Sequence, residues 1–221
     1  MKDRTLARNL ATDHLAQGDP TGWFESLYAA AAGDAQNIPW ADLRPNIHLV
    51  AWLDAHGVRG EGKRALVVGC GLGDDAEELA RREFDVTAFD VASTAIAWCR
   101  RRFPHTRVAY QVADALHPPS QWTRSFDFIL ESYTLQALPA GPRDEAMRSI
   151  SKLVAPGGSL LVICRGRDEG DDEPLEPPWP LTRAELRRAC NESLVEASFE
   201  DFIEQGEEPV RRFRVLFAGS R

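Results

Sequence analysis

Three alternating glycines are the residues of this sequence best suited to bind a ligand. Gly69, Gly71 and Gly73 follow the apolar run 65–68, and an acidic segment with helical spacing begins at Asp74. Glycine tolerates a positive φ and leaves no side chain between the backbone and a ligand. The order of strand, tight turn and helix predicts a nucleotide-binding turn, although glycines after a strand are often only a turn.

Two more acidic residues stand at the ends of apolar runs. Asp90 lies 19 residues after Gly71. Nucleotide-binding units place a carboxylate there, where it binds ribose hydroxyls. Ser93 is the better N-cap for the next helix, which leaves Asp90 to bind a ligand. Asp114 ends the run 108–113. Because ligands bind outside the carboxyl ends of parallel strands, these positions predict one common site.

Apolar runs alternate with helical segments through the centre of the chain, which predicts parallel strands joined by right-handed crossovers. The last two expected strands, 194–202 and 211–217, have only residues 203–210 between them. A parallel crossover needs roughly a dozen residues or more, so these two strands should pair antiparallel. The sequence therefore predicts an α/β fold: a doubly wound, seven-stranded, Rossmann-like sheet with an antiparallel last strand. The five expected parallel strands are 64–69, 84–89, 107–113, 126–131 and 159–164.

The chain divides into two expected parts. Residues 1–58 are predicted to form an N-terminal helical arm and lid, and residues 59–221 a ligand-binding domain. A helical face with Trp23 and a loop with Trp40 precede the first strand. Such aromatic residues usually pack an arm onto a domain, and here they could also close over its crevice.

Composition narrows the classes of partner. The net charge is −8, and the largest basic cluster, 100–102, is expected to be the solvated end of a helix, which disfavours nucleic acid. The four cysteines form no Cys-x-x-Cys pair and the five histidines have no metal-ligand spacing, so no metal is expected. No apolar run approaches the roughly 20 residues that span a bilayer. A cytoplasmic monomer or homodimer that does not bind membranes is the expectation.

The motifs resemble those of a known family. Residues 66–74 are similar to the glycine motif of the class I S-adenosylmethionine-dependent methyltransferases, with Asp74 in place of a dehydrogenase's final glycine. Residues 154–161 resemble that family's Pro-Gly-Gly motif before the fifth strand. More narrowly, residues 137–143 resemble an element of the thiopurine, thiol and halide methyltransferases. Segments 38–46 and 177–186 are similar to the lid and to the stretch before a late helix in the same family.

The resemblance implies S-adenosylmethionine as the cofactor. The glycine backbone would hold its methionyl part, Asp90 its ribose hydroxyls and Asp114 its adenine amino group. Glu131 stands where the family commonly has aspartate, and Glu176 replaces the glycine of a Gly-Pro-Pro element. The implied cofactor-binding residues are Trp40, Gly69, Cys70, Gly71, Gly73, Asp74, Asp90, Val91, Asp114, Ala115, Glu131 and Ser132.

The implied reaction is methyl transfer to a small molecule. An in-line displacement needs alignment and exclusion of water rather than an obligatory base, which suits a thiol or another soft nucleophile. Tyr133 and Glu131 are the expected catalytic residues. An O- or N-methyltransferase, a nicotinamide-dependent oxidoreductase and a non-catalytic cofactor-binding protein stay open as alternatives. The expected substrate-binding residues are Trp23, Trp40, Tyr133, Arg143 and Trp179; Arg143 could equally be a surface charge at a helix start.

Overall fold

The computed structural model describes residues 4–191, 194–206 and 208–220. Residues 1–3, with which the expected arm begins, lie outside the described residues, as do residues 192–193, 207 and 221. Within the described part of the chain, no helix is long and apolar enough to cross a bilayer.

One seven-stranded sheet organises the chain, with the strand order β3-β2-β1-β4-β5-β7-β6. Strands β1 to β5 pair parallel, whereas β7 lies antiparallel between β5 and β6. This arrangement confirms the predicted doubly wound α/β sheet with an antiparallel last strand. The strands are β1 (Arg64–Val68), β2 (Asp85–Asp90), β3 (Ala109–Val112), β4 (Phe126–Ser132), β5 (Val154–Arg165), β6 (Leu194–Glu204) and β7 (Val210–Gly219).

Helices cover both faces of the sheet. Leu66 and Val68 of β1 belong to one hydrophobic cluster, and Ala65 and Val67 belong to another, as expected for a strand buried on both faces. Helices α6 and α7 contribute to the first cluster, and α3, α4 and α5 to the second. The helices are α1 (Thr5–Ala16), α2 (Gly22–Ala30), α3 (Ile47–Ala55), α4 (Asp74–Arg81), α5 (Ser93–Arg102), α6 (Ala140–Ser151) and α7 (Arg183–Leu186).

The N-terminal segment packs against the domain through a third cluster. Trp23 and Leu27 of α2 share this cluster with Leu72, which follows the glycine turn, and with Trp98 of α5. Because the cluster joins the arm to the turn that follows β1, the first helices lie beside the carboxyl ends of the strands.

The N-terminus of α5 is capped from outside. Glu25 of α2 accepts hydrogen bonds from the backbone N–H and the hydroxyl of Thr94. The prediction that Ser93 is the N-cap was wrong: Ala92 occupies that position, Ser93 is the first helical residue, and its hydroxyl also donates to Glu25. The carboxylate of α2 thus replaces a local cap and fixes the arm to α5.

The Pro-Gly-Gly motif lies inside β5 rather than in a turn before it. The pairing of β4 with β5 shifts from Phe126↔Val154 to Phe128↔Ser159, so the extra residues of β5 form an irregularity in the ladder. A Cβ on Gly158 would lie 2.8 Å from the carbonyl oxygen of Phe126, which only glycine avoids.

Candidate active site

A cavity of about 460 Å³ lies at the carboxyl ends of the parallel strands. Its wall combines the turn after β1, the ends of β2, β3 and β4, and the N-terminal segments. Its volume lies in the range usual for small-molecule sites. Twelve of the sequence-predicted site residues line it: Trp23, Trp40, Gly69, Cys70, Gly71, Asp74, Asp90, Val91, Asp114, Ala115, Ser132 and Tyr133.

The glycine turn is tightly packed. Gly69 and Gly71 have φ values of 57° and 53°, in the left-handed region that favours glycine. A Cβ on Gly69 would lie 2.2 Å from Oγ1 of Thr134. Gly73 is not part of the cavity wall: it is the N-cap of α4, and a Cβ there would lie 2.4 Å from the Tyr110 hydroxyl oxygen. Gly69 and Gly71 therefore shape the cavity, and Gly73 shapes the start of the helix.

Asp90 connects β2 to the glycine turn. Its Oδ2 accepts a hydrogen bond from the Gly71 N–H at 2.9 Å, and its Oδ1 accepts one from the Ala92 N–H at 2.9 Å. The side chain is buried, and this burial raises the pKa of Asp90 to about 6. A carboxylate has about four lone-pair sites, so both oxygens can accept further hydrogen bonds from a ligand.

Two other acidic residues, Asp114 and Asp74, line the cavity together with Asp90. Asp114 Oδ1 accepts a hydrogen bond from the Leu116 N–H at 2.8 Å, which holds the carboxylate at the end of β3. Asp74 forms two hydrogen bonds of 2.8 Å with the guanidinium of Arg102. The charge of Asp74 is therefore compensated by Arg102, whereas the Asp114 carboxylate lies on the cavity wall with His117 Nδ1 3.4 Å from its Oδ2.

Asp75 also lines the cavity, and the sequence analysis missed it. Its Oδ1 accepts a hydrogen bond from the Asn46 N–H at 2.6 Å, and the Asn46 amide donates to Ser132 Oγ at 2.8 Å. Burial raises the pKa of Asp75 to about 6. Asn46 thus joins the segment before α3 to both α4 and the end of β4.

Aromatic side chains stand over the glycine turn. Trp40 Nε1 donates a hydrogen bond of 2.8 Å to the Tyr28 hydroxyl. A Cβ built on Gly71 would be 3.2 Å from that hydroxyl and 3.9 Å from Trp40 Nε1. Trp23 lies edge-on to Trp40 with ring centroids 5.9 Å apart, and it is almost wholly buried. Trp40 and Tyr28 are therefore the aromatic groups that stand over Gly71, and Trp23 packs against Trp40.

Tyr133 follows β4 with a φ of 67°, a strained value for a non-glycine residue. Its N–H donates to the Ile163 carbonyl at 3.0 Å. Glu131 holds the same turn, since its Oε1 accepts from the N–H groups of Thr134 and Leu135 at 2.7 and 2.9 Å. Burial raises the pKa of Tyr133 to about 12. The turn thus presents a protonated phenol to the cavity.

Comparison with known proteins adds family evidence to this geometry. Residues 65–158 match the family model described as "Methyltransferase domain". The chain is 26% identical to "Probable thiol methyltransferase 2" of Arabidopsis thaliana over 88% of this chain and 80% of that protein. It is 34% identical to "Fatty-acid O-methyltransferase" of Mycolicibacterium smegmatis, but over 46% of this chain and only 36% of the relative. Residues 65–158, which match the family model, contain the glycine turn, Asp90 and Asp114.

The fold has solved counterparts. N-methyltransferase NodS from Bradyrhizobium japonicum, in complex with S-adenosyl-L-homocysteine, superposes with a TM-score of 0.66 at 20% identity, covering 88% of this chain and 99% of that one. The protein is an S-adenosylmethionine-dependent methyltransferase with a class I, Rossmann-like fold. Its cofactor is S-adenosylmethionine.

The residues of the methyltransferase fit this cofactor. Gly69 and Gly71 have no side chain, so a ligand can approach their backbone closely. The buried carboxylate of Asp90 at the end of β2 and the half-buried one of Asp114 after β3 can accept hydrogen bonds from hydroxyl and amino groups. The partly exposed indole of Trp40 adds a π face beside the turn, which suits a cationic sulfonium.

Four predicted site residues of the methyltransferase lie off the cavity wall, namely Gly73, Glu131, Trp179 and Arg143. Glu131 is fully buried, and burial raises its pKa to about 7. Its Oε1 accepts two amide hydrogen bonds, which hold the turn that carries Tyr133. Trp179 is buried, and its backbone N–H donates to the Gln136 carbonyl at 2.6 Å.

Arg143 is also placed differently from the expectation of an anion anchor or a surface charge. Its side chain is 2% exposed and pairs with Glu173, and its Nη2 lies 3.5 Å from Glu185 Oε1. The start of α6 thus faces the acidic loop after β5, and this loop supplies the counter-charge. Arg143 holds that loop and the segment of Trp179, whose carbonyl accepts from Arg143 Nη1 at 3.4 Å.

Proposed function

We propose that this methyltransferase transfers the methyl group of S-adenosylmethionine to a small-molecule thiolate or another soft nucleophile. One observation carries the proposal: within the described residues, the cavity wall contains no histidine, and its inner carboxylates are held by amides or arginines. A nucleophile that ionises by itself needs no protein base. Thiols do so at lower pH than phenols, with reference pKa values of about 8.5 and 10.

The cofactor-binding roles belong to the strand ends. Asp90 accepts hydrogen bonds from the ribose hydroxyls, Asp114 from the adenine amino group, and the backbone at Gly69 and Gly71 lies against the methionyl part. When bound, S-adenosylmethionine supplies a methyl group on a positively charged sulfur. Asp90 has a second function, because its bond to the Gly71 N–H fixes the turn before any ligand arrives.

The acceptor lies on the other side of the turn. Tyr133 stays protonated at neutral pH and donates a hydrogen bond that orients the acceptor, which is a positioning function. Trp40 and Tyr28 exclude water from the same space, since their hydrogen bond fixes both rings over Gly71. An attacking thiolate brings its own electron pair for the new S–C bond, so the protein has only to align it with the methyl carbon that the cofactor would supply.

The similarity to the Arabidopsis thiol methyltransferase supports a sulfur acceptor, because it extends over most of both chains. The motif at residues 137–143 points to the same group of thiopurine, thiol and halide methyltransferases. The fatty-acid relative, in contrast, matches over about a third of its own length.

The pH dependence of kcat/KM tests the assignment of an intrinsically ionised acceptor. An aromatic and an aliphatic thiol, which ionise at different pH, are assayed with the same enzyme. We expect the midpoint of the rising limb to move with the acceptor, because the acceptor and not the protein loses the proton. A midpoint that stays at one pH for both thiols would mean that a protein group acts as the base, and the proposal would fail.

One observation favours a second candidate, an O-methyltransferase. Asp75 lies on the cavity wall, and within the described residues its carboxylate accepts one hydrogen bond, from the Asn46 N–H. With a pKa of about 6 it could take a proton from a hydroxyl at neutral pH. If Asp75 is the base, the rising limb of the pH dependence of kcat/KM would keep its midpoint near the pKa of Asp75. Asp75→Asn would then abolish transfer to a phenol while preserving binding of the cofactor.

A further inference from the structure

Three arginines meet at the end of the cavity that is remote from the glycine turn. Arg165 ends β5, Arg212 lies directly opposite it in β7, and Arg4 precedes α1. All three line the cavity. We call this set, Arg4, Arg165 and Arg212, the arginine group. It contains side chains from three separate parts of the chain, so its convergence is a product of the fold.

The charges of the arginine group are only partly compensated. Arg212 Nη2 lies 2.6 Å from Glu204 Oε2, which neutralises one of the three. Across the described residues, the guanidinium groups of Arg4 and Arg165 have no hydrogen bond or ion pair with any side chain or carbonyl. Burial and the positive charges of Arg4 and Arg212 lower the pKa of Arg165 to about 10. Burial and the charges of Arg8 and Arg212 likewise lower the pKa of Arg4.

This arrangement is unfavourable without a ligand. Like charges placed directly opposite each other on neighbouring strands destabilise a sheet, and Arg165 and Arg212 are such a pair. Removing a guanidinium from water without a partner adds a further cost. Two planar guanidinium groups that face one space are suited to a carboxylate or phosphate, which they can bind through paired hydrogen bonds.

The arginine group is separated from the glycine turn. Strand β4 lies between β1 and β5, and neighbouring strands are about 4.8 Å apart, so the ends of β1 and β5 are roughly 10 Å apart. Tyr133 bridges this interval: it follows β4, and the guanidinium carbon of Arg212 lies 4.7 Å from the centroid of its ring. A ligand with an anionic group at one end and a reactive atom at the other, separated by about one aromatic ring, matches this layout.

We propose that the methyl acceptor carries a carboxylate or phosphate group that binds between Arg4 and Arg165, with its nucleophilic atom beyond Tyr133, towards the glycine turn. This inference rests on the proposed function for the reacting atom. It adds the substrate class: an anionic small molecule whose charge is separate from its nucleophile. Arg4 and Arg165 bind the charge, and Arg212, already paired with Glu204, holds Tyr133 against the acceptor.

Binding measurements test the arginine group without turnover. Wild type, Arg165→Met and Arg4→Met, each saturated with S-adenosylhomocysteine, are titrated calorimetrically with three probes: para-(methylsulfanyl)benzoate, its methyl ester and para-(methylsulfanyl)phenyl phosphate. Arg101→Met, an exposed arginine of α5, is the charge-matched control. We expect wild type and the control to prefer an anion over the ester, and Arg165→Met to bind that anion about 30-fold more weakly, with the ester unaffected. The preferred anion identifies carboxylate or phosphate.

Titration with S-adenosylmethionine separates this inference from the proposed function. The cofactor should bind Arg165→Met as it binds wild type; a large loss would mean that the arginines hold the cofactor's own carboxylate, and the inference would be overturned. Equal affinity for anions and ester, or no binding of any probe, would overturn it too. Failure of thiols as acceptors in turnover assays would instead reject the proposed nucleophile and leave the binding result intact.

Thermal unfolding of Arg165→Met gives an independent readout. Because the substitution removes a partly buried cation that faces two others, we expect Tm without ligand to rise by about 2 to 4 °C. A fall in Tm combined with equal losses for acid and ester would make Arg165 a structural residue and contradict the inference.

Discussion

Replacing Asp90 with alanine is expected to weaken S-adenosylmethionine binding by about 100-fold. The substitution removes the acceptor for the ribose hydroxyls, and hydrogen bonds to a charged group contribute more than neutral ones. It also leaves the N–H groups of Gly71 and Ala92 without their carboxylate partner, so the glycine turn loses its attachment to β2. Calorimetric titration of wild type and variant with the cofactor measures the loss.

Two further variants serve as controls for Asp90→Ala. Asp85→Ala removes an exposed carboxylate at the start of the same strand, and it should bind the cofactor as wild type does. Asp90→Asn keeps the shape but replaces one acceptor oxygen with an amide donor, so its affinity should lie between those of alanine and wild type. If folded Asp90→Ala bound the cofactor with wild-type affinity, the assignment of this carboxylate would be wrong.

Replacing Arg143 with methionine should lower the free energy of unfolding by about 3 to 5 kcal/mol. The side chain is buried between Glu173 and Glu185, and its removal leaves both carboxylates without their shared cation in a poorly hydrated place. Glu185 keeps a contact with Arg167 at 3.1 Å, which limits the loss. Urea denaturation followed by circular dichroism measures the change.

A second arginine next to α6 supplies the matched control for this stability measurement. Arg188 pairs with Asp144 of α6, but its side chain is 48% exposed. Exposed pairs contribute about 0 to 1 kcal/mol, so Arg188→Met should unfold close to the wild-type midpoint. If Arg143→Met and Arg188→Met lowered the free energy of unfolding equally, burial of Arg143 would not be the reason that its ion pair stabilises the protein.

Much of the fold follows from periodicity that the sequence carries by itself. The five parallel strands read as apolar runs, and the short connection before β7 excluded a crossover. Element ends were less accurate: the strand expected at 107–113 is Ala109–Val112, and the motif 156–158 lies within β5. Periodicity cannot locate such an irregularity, because the extra residues are fixed by pairing with Phe126 and Phe128.

The candidate site was predictable where it depends on strand ends. Asp90 and Asp114 follow from the rule that ligands bind at the carboxyl ends of parallel strands. The same rule would have drawn attention to Arg165 at the end of β5. Arg4 could not be found this way, because α1 must first fold over the domain. Arg143 was misplaced because motif similarity does not determine which neighbour a helix face contacts.

The most direct test of the proposed acceptor is a competition in one reaction. The enzyme, S-adenosylmethionine with a trideuterated methyl group, and equal concentrations of para-mercaptobenzoate and para-hydroxybenzoate are incubated together, and the products are identified by mass spectrometry. Both acceptors carry the same anion, so only the nucleophilic atom differs. We expect labelled S-methyl product with little or no labelled ether. Labelled ether as the main product would contradict transfer to a soft nucleophile.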